Sequence, residues 1–182
     1  MRQTKKITVS AMAVALGVVF MMLGFFIEAL DLTVAALCSI LMLFVFIEIG
    51  RPYTFLVWIC TSLLGALFFT GSLVWVTYFL VFGIYPIIKA YIERAKRIFW
   101  LPLKIVFFNI AAVALIAVSE FVLGIPFFGE INMPVFEGKE WIFKAIVYAI
   151  LNLAFVVYDI FLTLMVRAYF SRIRPAISKI LK

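Results

Sequence analysis

The amino-acid sequence predicts an all-α integral membrane protein, a bundle of six transmembrane helices that forms one membrane domain over residues 1–182. Hydrophobic residues make up 68% of the chain and charged residues only 14%. A soluble domain has about 45–50% apolar and about 25% charged residues. The charged residues here also cluster in short gaps between apolar runs, so we expect most of the surface to face lipid.

The apolar runs predict spans at about residues 7–27, 32–49, 55–69, 74–90, 103–123 and 141–166. A helix needs about 20 residues to cross the hydrocarbon core, within a range of about 17–25. The third and fourth runs are shorter and meet at Thr70-Gly71-Ser72, a turn signal that separates two helices. Pro86 predicts a kink near the end of the fourth span.

The beginning of the chain is similar to a signal peptide, because Arg2, Lys5 and Lys6 precede an apolar run. That run, Ile7–Ile27, is longer than a usual signal segment, and no small-x-small cleavage site follows it. We therefore expect a retained first span.

Lysine and arginine predict the topology of the six spans. If both termini are cytoplasmic, fourteen of these residues fall in cytoplasmic segments and two, Lys139 and Lys144, fall in outer segments. Positive residues are retained on the cytoplasmic side, so we expect a multi-pass protein of the bacterial plasma membrane with both termini inside. The net charge of +7 then reflects loops that face anionic lipid headgroups, not nucleic acid. The predicted cytoplasmic residues are Arg2, Lys5, Lys6, Arg51, Lys89, Arg94, Lys96, Arg97, Lys104, Arg167, Arg172, Arg174, Lys179 and Lys182.

Two connecting segments carry specific predictions. The inner stretch Tyr91–Leu101 is expected to extend the fourth helix, since Lys89, Glu93 and Arg97 follow the i, i+4 spacing of opposite charges. The outer segment Gly124–Glu140 is expected to fold back over the bundle as a lid or an interfacial segment. Its apolar residues suit a freely solvated loop poorly: Phe127, Phe128, Met133 and Phe136.

Several classes of chemistry have no support in the sequence. The chain has no histidine and no GxxxxGK[ST] stretch, so imidazole-based sites and P-loop nucleotide hydrolysis are excluded. Cys38 and Cys60 form no CxxC pair and are expected to act as small apolar side chains. Asp159 stands alone at its depth, whereas an aspartyl intramembrane enzyme needs two acids. We expect neither an enzyme nor a cofactor.

Polar residues inside the last two spans share helical faces. Asn109 and Glu120 lie on one face of the fifth helix, and Tyr148, Asn152 and Asp159 lie on one face of the sixth. Counting inward from the membrane boundaries pairs Asn109 with Asp159. We interpret that pair as an interhelical clamp near the cytoplasm.

The same count places Glu120 near Lys144, in the outer half. Glu120, Lys144, Tyr148 and Asn152 either form a second clamp or line a substrate-binding cavity that opens to the outside. The sequence favours neither. Trp75 and Tyr78 are further candidates for that pocket, although an interfacial aromatic belt explains them without any ligand and is the favoured interpretation.

Small residues occupy two faces of the first helix. Ala11 and Ala15 share one face, and the others lie on a second: Ala13, Gly17 and Gly24. Small residues at i, i+4 allow membrane helices to approach closely. We expect one face to pack inside the bundle and the other to meet a partner.

The opening Thr4-Lys5-Lys6-Ile7-Thr8, followed by Ala11-Met12-Ala13-Val14-Ala15, resembles that of the substrate-binding S components of energy-coupling factor (ECF) transporters. The architectural resemblance covers the whole chain. It implies that Ala11 and Ala15 contact a transmembrane T component, and that a small-molecule ligand binds in an outer cavity under loops. It also implies transport by toppling of the bundle, driven by partner ABC-type ATPases. No motif specific for riboflavin, thiamine or biotin identifies the substrate.

The alternative is a structural membrane protein similar to the rod-shape determinant MreD, a six-helix scaffold of cell-wall machinery. The polar pairs would then be clamps and the outer loop a docking surface. A third possibility is that the likeness in fold has no functional meaning.

Overall fold

The computed structural model describes residues 3–27, 30–125 and 140–173, which form helices and turns without a strand. Six helices in these ranges are long and apolar enough to cross a membrane. They match the six predicted spans one to one. They are α1 (Gln3–Phe26), α2 (Asp31–Glu48), α3 (Arg51–Phe68), α4 (Leu73–Ile92), α5 (Arg97–Val122) and α6 (Trp141–Ser171).

Consecutive helices run antiparallel, so the bundle has two ends. The near end holds the beginning of α1, the α2–α3 connection at Ile49 and Gly50, and the α4–α5 connection at 93–96. The far end holds the connections at 27–30 and 69–72. In the topology that the sequence predicts, the near end faces the cytoplasm.

The small residues of α1 divide between an inner and an outer face. Ala13, Gly17 and Gly24 are buried together with Ser10 and Met21, whereas Ala11 and Ala15 are exposed. A Cβ atom on Gly17 would lie 2.9 Å from Cγ2 of Thr61 on α3. Glycine at this position therefore allows α1 and α3 to approach closely. As predicted, small residues form two faces of α1, and one of these faces is buried inside the bundle.

The turn between α3 and α4 follows the prediction. Ser72 precedes α4 with an extended backbone, and its Oγ accepts a hydrogen bond from the backbone N–H of Val74 at 3.2 Å. A serine that caps the first turn in this way marks where a helix begins. Thr70-Gly71-Ser72 therefore separates two helices.

The helical extension predicted over Tyr91–Leu101 is not formed. α4 ends at Ile92, a turn follows, and a 3₁₀ turn over Arg97–Phe99 begins α5. The chain must reverse within a few residues to lay α5 antiparallel to α4, and a continued helix would prevent this.

Part of the charge pairing predicted for this stretch is present. The Nζ of Lys89 lies 2.8 Å from Oε1 of Glu93. The second partner of Glu93 is Lys104 of α5, at 2.8 Å, rather than Arg97.

Within the described residues, π-helical turns occur at Tyr78–Phe82 inside α4, at Val118–Val122 where α5 ends and at Tyr169–Ile173 where α6 ends. The irregular part of α4 begins before Pro86, which sits in the first turn of the α-helical segment that follows. The kink predicted from Pro86 stays a prediction, and the π turn that begins at Tyr78 was not predicted. The segment Gly124–Glu140, predicted as a lid or interfacial segment, lies outside the described residues except at its two ends.

Candidate functional site

A cavity of about 310 Å³ lies between α2, α4, α5 and α6 in the far half of the bundle. Its volume is at the lower end of the range of about 300–1,000 Å³ that small-molecule sites occupy. Most of its wall is apolar, and the apolar residues that line it are Leu32, Ala36, Leu73, Val81, Phe82, Phe108, Ala112, Leu115, Ile116, Leu151, Ala154 and Phe155.

Four polar residues complete the described wall: Asp31, Thr33, Thr77 and Tyr158. Asp31 lies in the first turn of α2, at the far end of the bundle, and is the one charged residue of this wall. The hydroxyl of Tyr158, deeper in the bundle, hydrogen-bonds Oγ of Ser39 on α2. An apolar cavity with a few polar groups is the usual composition of a small-molecule site.

An aromatic layer separates this cavity from the near end. The Phe108 and Phe155 rings stack with centroids 4.4 Å apart, and Phe82 meets Tyr158 edge to face at 4.8 Å. All four rings line the cavity. On their other side the Tyr85 ring packs against Phe155 at 4.9 Å. Aromatic rings in such arrangements pack tightly, and the layer therefore forms the floor of the cavity.

A cluster of charged side chains lies just beneath that floor. Lys89 of α4, Glu93 just after α4, Lys104 of α5 and Asp159 of α6 form the ion cluster, in which each lysine contacts both carboxylates. The Nζ of Lys104 lies 2.8 Å from Oδ2 of Asp159 and 2.8 Å from Oε1 of Glu93. The Tyr85 hydroxyl donates a hydrogen bond to Oδ1 of Asp159 at 2.6 Å. Three helices are thus joined by one neutral set of two cations and two anions.

Burial makes this charge balance necessary. The side chains of Lys89 and Lys104 are only 5% and 4% exposed, and that of Asp159 is 15% exposed. Removing charges from water costs several kcal/mol each, which partners and hydrogen bonds must offset. Lys89 meets this requirement with a further hydrogen bond to Oγ1 of Thr163 at 2.8 Å. The cluster is therefore built to hold α4, α5 and α6 in one register.

Glu93 lies beyond the last residue of α4 and is the most exposed member of the ion cluster. Its partial burial opposes ionisation, but hydrogen bonds and charge attraction from Lys104 and Lys89 outweigh that effect. The pKa of the Glu93 carboxyl is consequently lowered from its ordinary value. The group is ionised at neutral pH and contributes its charge to the cluster.

The clamp predicted between Asn109 and Asp159 is not formed. Asn109 instead pairs with Asn152: its Nδ2 donates to Oδ1 of Asn152 at 3.2 Å, and a return bond measures 3.4 Å. Counting from the membrane boundaries misjudged the register of α5 against α6, since Asn109 lies level with Asn152. The clamp between these helices exists, but its partner lies about two turns earlier on α6.

The six residues predicted to bind a substrate do not come together. Tyr148 and Asn152 are neighbours on α6, where Nδ2 of Asn152 donates to the carbonyl of Tyr148 at 3.0 Å. Glu120 and Lys144 are both exposed, and the described residues show no ion pair between these two.

Trp75 and Tyr78 lie in α4, where Trp75 packs against α3 and Tyr78 is buried. The Trp75 Cβ is 3.0 Å from the position that a Cβ on Gly65 of α3 would take, and Tyr78 is 1% exposed. None of the six predicted residues lines the cavity in the part of the chain that the structure describes. Their role in binding stays a prediction.

Sequence reasoning missed the ion cluster, although a signal for it is present. Lys89 and Lys104 were counted with the cytoplasmic segments, although both fall just inside the predicted spans 74–90 and 103–123 and have apolar residues on both sides. An ionisable residue within an apolar run needs a partner at its own depth. Asp159 lies in the same half of the sixth span, so these opposite charges could have been matched across helices.

The described residues contain no group of three or more Cys, Asp or Glu side chains placed to hold a metal ion. Searches of protein-family models, of curated proteins and of solved structures find no match to this chain. The candidate site therefore consists of the apolar cavity, its aromatic floor and the ion cluster beneath, defined by geometry alone.

Proposed function

We propose that the chain spans the bacterial plasma membrane with both termini in the cytoplasm and binds a small metabolite from outside. In this proposal it is the substrate-binding subunit of an ECF-type importer. The observation that carries the proposal is the apolar cavity of about 310 Å³ in the far half of the bundle. With the termini inside, the far half is the outer half, where such a subunit would receive its ligand.

The walls of the cavity suggest the kind of ligand. Twelve apolar residues surround it, and aromatic rings form its floor. Asp31 lies at the far end of the cavity, and Thr33 and Thr77 add two hydroxyl groups to the wall. Polar groups of the ligand would therefore point toward the outside. A compact molecule with an apolar body and one cationic or hydrogen-bond-donating group fits this distribution.

The proposed importer requires partners, because the chain has no P-loop sequence. The exposed face of α1 that carries Ala11 and Ala15 is the proposed contact with a transmembrane T component, and ABC-type ATPases would supply the energy. The opposite small face of α1 is already buried in the bundle. The ion cluster would keep the near side of the cavity closed while ligand binds.

Filling the cavity tests the binding function. Ala112 is 5% exposed and lines the cavity, whereas its neighbour Val113 is 60% exposed on the outer surface of α5. Native mass spectrometry and metabolite profiling of the purified protein should detect a small molecule in the wild type and in Val113→Phe. Ala112→Phe should lose it, because the ring occupies its place. The same small molecule in Ala112→Phe, or none in the wild type, would refute the proposal.

Co-purification tests the partner assignment. Ala11→Trp with Ala15→Trp places bulk on the exposed face of α1 and should abolish co-purification with a T component. The matched change Met12→Trp with Leu16→Trp alters neighbouring exposed positions, which are 66% and 42% exposed, and should retain it. Unchanged co-purification of the alanine variant would remove the basis for the assignment.

A scaffolding protein similar to MreD remains the second candidate, and one observation favours it. The amide groups of Asn109 and Asn152 satisfy each other, as a structural clamp requires. The ion cluster likewise joins three helices without any ligand. If the cavity holds no small molecule under any growth condition, this second function becomes the better account.

A further inference from the structure

Two arginines at the near end of the bundle share one tyrosine ring. The Cζ atom of Arg51, at the beginning of α3, lies 5.0 Å from the ring centroid of Tyr91, near the end of α4. The Cζ atom of Arg94 lies 5.3 Å from the same centroid. The hydroxyl of Tyr91 also accepts a hydrogen bond from Nη1 of Arg51 at 3.4 Å. Arg51, Tyr91 and Arg94 form what we call the arginine–tyrosine patch.

No carboxylate forms an ion pair with either arginine within the described residues. The four ion pairs of that part of the chain involve only Lys89, Lys104, Glu93 and Asp159. Glu93, which directly precedes Arg94, is occupied by both lysines. Glu48 lies three positions before Arg51, but the described residues show no ion pair between the two; Oε1 of Glu48 accepts a hydrogen bond from the Tyr169 hydroxyl at 2.7 Å. The patch therefore holds two exposed guanidinium groups around one tyrosine ring.

Further positive charge lies near the arginine–tyrosine patch, at the first turn of α3. Gly50 precedes α3 and has no side chain to cap it, so the positive end of the helix dipole lies at Arg51. Lys6 of α1 places its Nζ 5.7 Å from the ring centroid of Tyr53, in the same first turn of α3. Like charges gathered in this way repel one another, and a bound anion would relieve the repulsion.

The position of the patch points to the source of that anion. Arg51 begins one apolar helix and Tyr91 lies at the end of another, so both sit at the depth of lipid headgroups if the bundle spans a membrane. Trp100 follows on α5, its Nε1 bonded to the carbonyl of Ala95 at 2.9 Å, and tryptophan favours the same interface. Arginine forks match phosphate geometry, and basic sites on the cytoplasmic side bind anionic headgroups.

We propose that Arg51, Tyr91 and Arg94 form a binding site for the phosphate of an anionic phospholipid headgroup. The guanidinium groups bind the phosphate oxygens, and the ring of Tyr91 holds both side chains in place. This site is independent of the ligand cavity, which lies in the opposite half of the bundle, so either can exist without the other.

The test compares lipid retention between variants of equal charge. The purified full-length protein is incubated with phosphatidylglycerol or phosphatidylcholine in detergent micelles, and bound lipid is counted by native mass spectrometry. Wild type should retain phosphatidylglycerol in preference to phosphatidylcholine. Arg51→Gln with Arg94→Gln should lower that retention by about tenfold or more.

A control pair removes the same charge from the same end. Lys5 and Arg167 are exposed residues at the near end that lie outside the patch, and Lys5→Gln with Arg167→Gln should retain phosphatidylglycerol as the wild type does. Tyr91→Leu should reduce retention because the arginines lose their shared ring, while Tyr91→Phe should preserve most of it. Melting temperatures of all variants show whether each remains folded.

Three outcomes would overturn the proposal. Equal losses in both double variants would show that net charge alone attracts the lipid. Undiminished retention in the arginine variant would exclude the patch. Complete displacement of phosphatidylglycerol by inorganic phosphate at tens of millimolar would show a site for free phosphate instead of a lipid headgroup.

Discussion

The carboxylate of Asp159 is contacted by side chains of two other helices in the near half of the bundle. Its two oxygens accept hydrogen bonds from Lys89, Lys104 and the hydroxyl of Tyr85, which belong to two other helices. Each lysine is almost completely buried. A single side chain on α6 therefore determines whether two buried cations are balanced.

Replacing Asp159 by Asn should destabilise the protein by about 3 kcal/mol, because one of two anions that balance two buried lysines is lost. Thermal unfolding in detergent, followed by tryptophan fluorescence, measures the change. Glu120→Gln removes a carboxylate from an exposed position and should leave the transition unchanged. Lys89→Met in the Asp159→Asn background should restore part of the loss, since it returns the cluster to neutrality. Equal melting temperatures for Asp159→Asn and the wild type would contradict this account.

Residue-level predictions from the sequence succeeded for local spacing and failed for depth. The Lys89–Glu93 pair follows from i, i+4 geometry on one helix, and the structure confirms it. The Asn109–Asp159 pair required the relative shift of two helices, and it was wrong. Side-chain packing sets such a shift, and a hydropathy profile does not contain that information.

Among the helices, α4 is the least regular. Its π turn at Tyr78–Phe82 is followed by Gly83, where an added Cβ would lie 2.6 Å from Cδ1 of Trp58 and 2.8 Å from the carbonyl oxygen of Tyr78. The indole of Trp58 also donates a hydrogen bond to the carbonyl of Phe79 at 3.1 Å. The wider turn frees a carbonyl that α3 then binds, so the irregularity fixes α4 against α3.

Gly83→Ala should therefore destabilise the bundle by about 1–3 kcal/mol, the usual cost of overpacking. Part of the clash involves backbone, which cannot move aside as a flexible side chain can. Gly71→Ala is the matched control, because a Cβ there meets nothing within 4 Å. Chemical or thermal unfolding in detergent would compare the two. A Gly83→Ala protein as stable as the Gly71→Ala protein would show that the α3–α4 contact is looser than described.

At the scale of the whole molecule, hydropathy was sufficient to predict six helices and their order. Each run of apolar residues forms one helix. The thickness of the hydrocarbon core, and not the packing of neighbouring helices, sets the length that such a helix needs. The cavity was not predictable in the same way. Residues that line it, such as Ala36, Ala112 and Ala154, are unremarkable in the sequence. Only the packing of four helices leaves space beside them.

The proposed topology is testable by cysteine labelling, since fourteen of sixteen basic residues lie on one side of it. In a Cys38→Ala, Cys60→Ala background, a cysteine at Gly71 should react with a membrane-impermeant maleimide on intact cells. A cysteine at Lys96 should react only after the cells are opened. Both positions are exposed, so the difference in labelling depends on whether the maleimide must cross the membrane to reach them. The reverse pattern would invert the proposed orientation of the bundle, and with it the side from which the cavity is reached.

The ion cluster also imposes an order on biosynthesis. A ribosome completes α4 and α5, with Lys89 and Lys104, before it has made α6 and Asp159. During that interval Glu93 is the only one of the cluster's two carboxylates that has been made. If the bundle spans a membrane, the two lysines are therefore inserted with only one of their two carboxylates, and α6 supplies the second charge that allows them to be buried. This half of the bundle can therefore assemble only after α6 has been made.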